Sequence, residues 1–199
     1  PKSVLILGAG IAGACAARAF LDRGCVVTVL DAGPTPGSGA SGNPLALVMP
    51  RLDAADGPAA RGLIEAFLLA QRTYLQLSPD AATSLDVAHL PRNETEATRF
   101  ARLLADPPLD ASLLTAIEGS PESSGGVIHH HAIAVRTAVA LRELLAGATL
   151  RFNTRIANCT GDTLTLASGE QLSADLIVIC AGMGAAALFT DAPPLTGRL

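Results

Sequence analysis

The sequence predicts an α/β fold in which a parallel sheet carries a β-meander and is interrupted by part of an inserted cap. Three observations predict it. Short apolar runs without alternation, at Val4–Leu7, Val26–Leu30 and Leu176–Cys180, read as strands buried on both faces of a parallel sheet. A glycine-rich turn and an alanine-rich helical stretch separate the first two. Further on, segments alternating around the turn signals Gly161–Asp162 and Ser168–Gly169 read as a meander.

Taken in order, Ser3–Leu7 is a strand, Gly8–Gly13 a turn, Ile11–Arg23 a helix ended by Gly24, and Val26–Leu30 a second strand. Strand, turn, helix and strand within about thirty residues are the size of a βαβ unit. Asp31–Pro58 is rich in Gly, Pro, Ser, Asn and Asp and predicts a long irregular stretch, of the kind that usually carries function. Ala59–Leu77 predicts an amphipathic helix with Leu63, Phe67, Ala70 and Tyr74 on one face, stopped by Pro79. The 81–124 stretch is more polar, with a helix at Glu94–Ala105 broken by Pro107 and Pro108, and suits a partial substrate or cap region. The α/β pattern resumes at Gly125: Val127–His129 extended, Ile133–Ala146 helical and closed by Gly147, and Thr149–Phe152 a short strand. Arg155–Ala167 and Glu170–Ser173 form the meander, and Leu176–Cys180 the last strand. Residues 1–80 and 125–199 thus read as two parts of one nucleotide-binding domain around the 81–124 insertion.

Composition narrows the class. The 199 residues are 49% hydrophobic and 16% charged, which excludes a disordered chain. Net charge is −4 and Lys2 is the only lysine, so no basic run advertises nucleic-acid binding. No apolar run reaches the roughly 18 residues that span a bilayer, and no membrane partner is expected. Cys15, Cys25, Cys159 and Cys180 form no C-x-x-C pair and predict neither a disulfide framework nor a zinc site, but reduced thiols in a cytoplasmic protein. The chain opens at Pro1 without a methionine, as expected of a piece of a longer polypeptide or a processed one.

The chemistry starts at Gly8-Ala9-Gly10-Ile11-Ala12-Gly13, a G-x-G-x-x-G motif between a predicted strand and a predicted helix. Gly8 permits the tight turn, Gly10 lets backbone approach a pyrophosphate, and Gly13 lets the helix pack close. The helix N-terminus adds unpaired N–H groups and partial positive charge for phosphates. Asp31 ends the second strand 18 residues after Gly13, a spacing that suits a carboxylate accepting from ribose hydroxyls and repelling a 2′-phosphate. This predicts a Rossmann-like dinucleotide site without NADP. A nicotinamide domain would continue into a short turn and helix; here Gly37-Ser38-Gly39-Ala40-Ser41-Gly42-Asn43-Pro44 follows, small residues whose amides and hydroxyls suit close passage around a cofactor.

With Gly39–Pro44 and Leu47-Val48-Met49-Pro50-Arg51-Leu52, the fingerprint resembles the FAD-dependent domain of the MnmC tRNA-modification enzymes, within the D-amino-acid-oxidase-like (glycine oxidase) flavoproteins. Gly125-Gly126-Val127-Ile128 and Leu176–Gly182 resemble two further segments of that wider family. The resemblance implies FAD as cofactor, with Gly8, Gly10, Ile11, Ala12 and Gly13 at the pyrophosphate and Asp31 with Ala32 at the ribose. It places Ser41, Gly42, Asn43 and Pro44 near the pyrophosphate and isoalloxazine, Ile156 at adenine, and Ala181 and Gly182 against the cofactor. It implies hydride removal from the carbon beside a secondary amine, then hydrolysis of the imine. In that family the carboxymethyl group of carboxymethylaminomethyl-uridine leaves tRNA as glyoxylate, and a methyltransferase domain, fused in some relatives, acts on the exposed amine.

Alternatives stay open: a free amino-acid or glycine oxidase acting on a small amine, a nicotinamide dehydrogenase, or a fragment without activity, since the family's chains continue past the point where residue 199 falls. No residue must be a general base, so the catalytic residues are unassigned; Arg51 could hold a substrate carboxylate. His129-His130-His131 could suggest a metal, but adjacent side chains on a strand face opposite ways, and no metal is expected.

Overall fold

The computed structural model describes residues 1–50, 57–107, 111–119 and 125–188. Arg51, Leu52 and Pro108 lie outside the described residues. The chain forms two compact units, one of Pro1–Pro44 with Thr137–Leu199 and one of Leu45–Arg136, which takes in the 81–124 stretch.

The first unit is built on β1 (Ser3–Leu7), α1 (Ile11–Leu21) and β2 (Val26–Leu30), the βαβ unit read from sequence. Its other elements follow the second unit in the chain: α4 (Thr137–Leu144), β7 (Thr149–Arg151), β8 (Ile156–Thr160), β9 (Thr163–Leu166), β10 (Gln171–Ser173) and β11 (Leu176–Ile179). Strands β11, β1, β2 and β7 make a parallel sheet in that order. β1 is central and buried on both faces, which is why its apolar run shows no alternation. Leu5 and Leu7 form a core with Leu30 and with Leu164 and Leu166 of the meander β8–β9–β10. Burying each such leucine is worth about 1.5–3 kcal/mol. α1 lies along β1 and β2 with only small residues, Gly13, Ala14 and Ala17, buried, so its backbone comes close to the sheet.

The second unit is an antiparallel sheet with two helices. β3 (Ala46–Val48), α2 (Pro58–Tyr74), β4 (Ala82–His89), α3 (Glu94–Ala105) and β5 (Leu114–Ile117) precede β6 (Gly126–Val135), the ten-residue central strand. β4 pairs with one edge of β6, while β3 and β5 pair with the two ends of the other. Phe100 and Leu103 of α3 close a core with Leu114 and Val127, and Ile64 of α2 packs against it. α2 buries Ala60, Phe67 and Tyr74.

The structure corrects the sequence reading around β6. The helix predicted from Ile133 begins at Thr137, because Ile133, Ala134 and Val135 are paired with strands on both sides. Sheet pairing outweighs the helix propensity of Ala134, and the β-branched Ile133 and Val135 favour a strand. The three histidines lie on β6: His129 is buried, His130 half-buried, and His131 exposed with φ 57°. The pairing of β4 shifts between Leu85 and Val87, opposite that irregularity.

Candidate dinucleotide-binding site

All four strands of the parallel sheet run the same way, so their carboxyl ends share one edge. β1 leads to β2 on one side and β11 returns on the other, which is where open α/β sheets bind ligands. Gly8, Asp31 and Cys180 directly follow β1, β2 and β11 there.

Gly8 has φ +106°, and a Cβ on it would lie 2.4 Å from the Cys180 carbonyl oxygen. A Cβ on Gly13 would lie 1.8 Å from the Gly8 carbonyl oxygen, so α1 seats directly on the turn. Gly10 precedes α1 with no side-chain cap, and the first turn of the helix carries no acidic residue. The Ile11 N–H donates to Ser41 Oγ at 3.0 Å, and a Cβ on Gly10 would come 3.1 Å from that oxygen. The N–H groups of Ala12 and Gly13 find no acceptor among the described residues. They are the open donors of the helix N-terminus, where partial positive charge favours an anion.

Asp31 binds both sides of the edge. Its Oδ2 accepts from the Ala9 N–H at 2.6 Å and its Oδ1 from the Gly33 N–H at 2.7 Å. It therefore caps its own neighbourhood, yet each carboxylate oxygen keeps a further lone pair for a hydroxyl donor. Ala32 beside it is exposed. Thr154 N–H donates to the Asp31 carbonyl at 2.8 Å and Asn153 N–H to that of Gly33 at 2.9 Å. Ile156, two residues on, packs its side chain with the Leu7 and Leu30 core, and no described contact takes it to the glycine turn.

The loop after β2 folds back onto the turn. Gly37 is buried and its N–H donates to the Ala9 carbonyl at 3.1 Å. A single 3-10 turn at Ala40–Gly42 delivers Ser41 to the helix. The exposed Asn43 accepts at its carbonyl from the Thr137 hydroxyl, which anchors the loop to α4, and Pro44 follows, also exposed. Ala181 stands beside Gly8, with its nitrogen 3.3 Å from where a Gly8 Cβ would be, and Gly182 opens a 3-10 turn to Leu188. Cys15 and Cys180 flank the turn; burial pushes both thiols up, for Cys15 with Cys180 adding to it, so they remain protonated.

Sequence reasoning missed two of these contacts. The Ser41 cap spans 30 residues and the Thr137 anchor 94, and no local pattern announces either. Thr137 itself, a hydroxyl residue where a helix starts, carried the only readable signal. Among the described residues no cluster of His, Cys, Asp and Glu could hold a metal ion. The geometry does fit a dinucleotide, since the missing side chains at Gly8 and Gly13 let α1 seat against the turn and two unpaired amides lie at the helix N-terminus.

A family model described as FAD dependent oxidoreductase matches residues 3–198. The chain belongs to the FAD-dependent oxidoreductase family. FAD is that family's cofactor. Over its whole length the chain is 35% identical to the tRNA 5-methylaminomethyl-2-thiouridine biosynthesis bifunctional protein MnmC of Caulobacter sp. strain K31, of which it covers 34%. The chain thus spans about a third of that curated relative. Its fold is shared with the L-amino acid deaminase of Proteus vulgaris without its specific insertion (TM-score 0.72, 13% identity, 94% of this chain and 55% of that one). It is shared also with glycine oxidase from Bacillus cereus (TM-score 0.68, 17% identity, 94% and 57%). At those identities these structures speak for the fold alone. No helix among the described residues is long and apolar enough to cross a membrane.

Proposed function

We propose that the polypeptide carrying this chain is an FAD-dependent amine oxidase that removes the carboxymethyl group from carboxymethylaminomethyl-uridine in tRNA. The observation that carries the substrate is the full-length alignment, at 35% identity, with an MnmC bifunctional protein. The cofactor reading rests on the glycine turn, the open amides of Ala12 and Gly13, and Asp31 at the end of β2.

In this reading Gly8, Gly10, Ile11, Ala12 and Gly13 surround the pyrophosphate, and the two open amides offset its charge. Asp31, with Ala32, receives the ribose hydroxyls while continuing to hold the turn. Ser41, Gly42, Asn43 and Pro44 run along the pyrophosphate toward the isoalloxazine, Ile156 meets adenine, and Ala181 and Gly182 close the other side. Bound FAD supplies the hydride acceptor for the carbon beside the amine nitrogen. The protein's share is positioning and exclusion of water. The partners are tRNA and a methyltransferase domain that acts on the exposed amine. The compartment is the cytoplasm, in keeping with four free cysteines.

The test is a visible spectrum of the protein before and after FAD addition and desalting, followed by anaerobic reduction. Retained flavin that is bleached by carboxymethylaminomethyl-uridine tRNA and not by glycine supports the reading. Bleaching by glycine alone would favour the alternative of a free amino-acid oxidase. Failure to take up FAD in the complete polypeptide would overturn the cofactor assignment.

A further inference from the structure

In the second unit, one side of α3 has no role in the chemistry above. Thr95, Thr98, Arg99 and Arg102 follow one another at three- and four-residue spacings, which puts them on one strip of the helix surface. Together with Glu96 they line a groove of about 490 Å³.

The charges in this groove are unevenly engaged. Glu96 is taken: the Arg92 guanidinium donates to its two oxygens at 2.8 and 3.2 Å, and the Arg92 backbone N–H donates at 2.8 Å. The guanidinium groups of Arg99 and Arg102 have no hydrogen-bond or ion-pair partner among the described residues. The Arg99 guanidinium lies 5.5 Å from the Phe100 ring centroid, and its buried Nε–H has no acceptor. A guanidinium without a protein partner that lines a groove can take an anion at its terminal nitrogens. The neighbouring imidazole does not pair with it: His129, 3% exposed, has both ring nitrogens unpaired, and burial, with His89 and Arg99 nearby, pushes its pKa down.

We propose that this groove binds the phosphodiester backbone of the RNA substrate, with Arg99 and Arg102 each gripping a phosphate and the Thr95 and Thr98 hydroxyls donating beside them. The inference rests on the tRNA reading above. Guanidinium forks match phosphate oxygens, and hydroxyl donors are common partners of the backbone. Charge complementarity makes the choice among occupants. The whole chain carries −4 and one lysine, so a polyanion needs a local patch of free arginines, and here two adjoin two hydroxyls in one groove. A protein partner would want apolar anchors, which the strip lacks.

The experiment measures binding of carboxymethylaminomethyl-uridine tRNA to the complete natural polypeptide carrying this sequence, as a function of salt, with flavin content and thermal midpoint recorded alongside. The variants are Arg99→Gln with Arg102→Gln, the charge-keeping pair Arg99→Lys with Arg102→Lys, and Arg142→Gln on α4 as a control. The glutamine pair is expected to weaken binding about tenfold near 0.1 M salt and to reduce the log–log salt slope by about 1.5, the share of two phosphates. The lysine pair keeps the slope, and Arg142→Gln changes nothing. Unchanged affinity and slope in the glutamine pair would overturn the groove while leaving the tRNA reading standing. Absence of tRNA binding by the unmodified protein would overturn both.

Discussion

Adding one methyl group at Gly13 tests the seating of α1 on the glycine turn. In Gly13→Ala the new Cβ would stand 1.8 Å from the Gly8 carbonyl oxygen and 3.0 Å from its carbon, and both are backbone atoms. Reaching the ordinary 3.4 Å contact takes a displacement of about 1.6 Å between helix and turn. Forcing such a shift into a close-packed interior costs about 1–3 kcal/mol or more, partly offset by about 1 kcal/mol of better helix propensity. A net loss of about 2 kcal/mol is expected, or roughly 4–8 °C in Tm for a chain of this size. The same displacement carries the Ala12 and Gly13 amides away from any phosphate, so flavin retention should fall with stability. Gly62 in α2 is the control, because a Cβ there meets nothing within 4 Å. Gly62→Ala should therefore stabilise by about 0.5–1 kcal/mol without touching flavin. The assay is denaturant unfolding with the flavin spectrum after desalting. If Gly13→Ala were as stable as the parent and kept its flavin, the contact between α1 and the turn would be wrong as described.

Three further outcomes are expected. Ser41→Ala removes the acceptor of the Ile11 N–H and should cost about 1 kcal/mol, as for loss of a helix cap, with weaker FAD affinity by titration. Arg92→Gln should raise the Glu96 titration midpoint, seen by carboxyl NMR, from about 2 part of the way toward 4.5, because the Arg92 backbone N–H remains. In the parent that depressed value means Glu96 favours folding above its unfolded pKa, and the contribution disappears as pH falls through about 2. His129→Leu should leave Tm unchanged or raised at pH 7 and raise it further at pH 5.5. Burial pushes the folded-state pKa of His129 down, so below about pH 6.5 only the unfolded parent takes up the proton, and leucine abolishes that loss.

The sequence by itself determined whatever depends on neighbours in the chain. The β1–α1–β2 unit is bounded by apolar run, glycines and alanine content, and its strands fall where they were expected. α3 begins after Asn93, whose side chain caps it, and runs as predicted from Glu94 to Ala105. G-x-G-x-x-G and Asp31 mark the site because their chemistry needs residue types at fixed local spacing. Tertiary structure decided the rest. β4 alternates only weakly between buried and exposed, so its identity as a strand comes from pairing with β6. Ile133–Val135 joined β6 rather than α4 for the same reason. The double engagement of Asp31 by Ala9 and Gly33, the Ser41 cap and the unpaired Arg99 Nε all depend on groups brought together by folding. Hydrogen-bond donors and acceptors distant in the chain are matched only when burial removes water as their partner, and nothing in a linear pattern records which will meet.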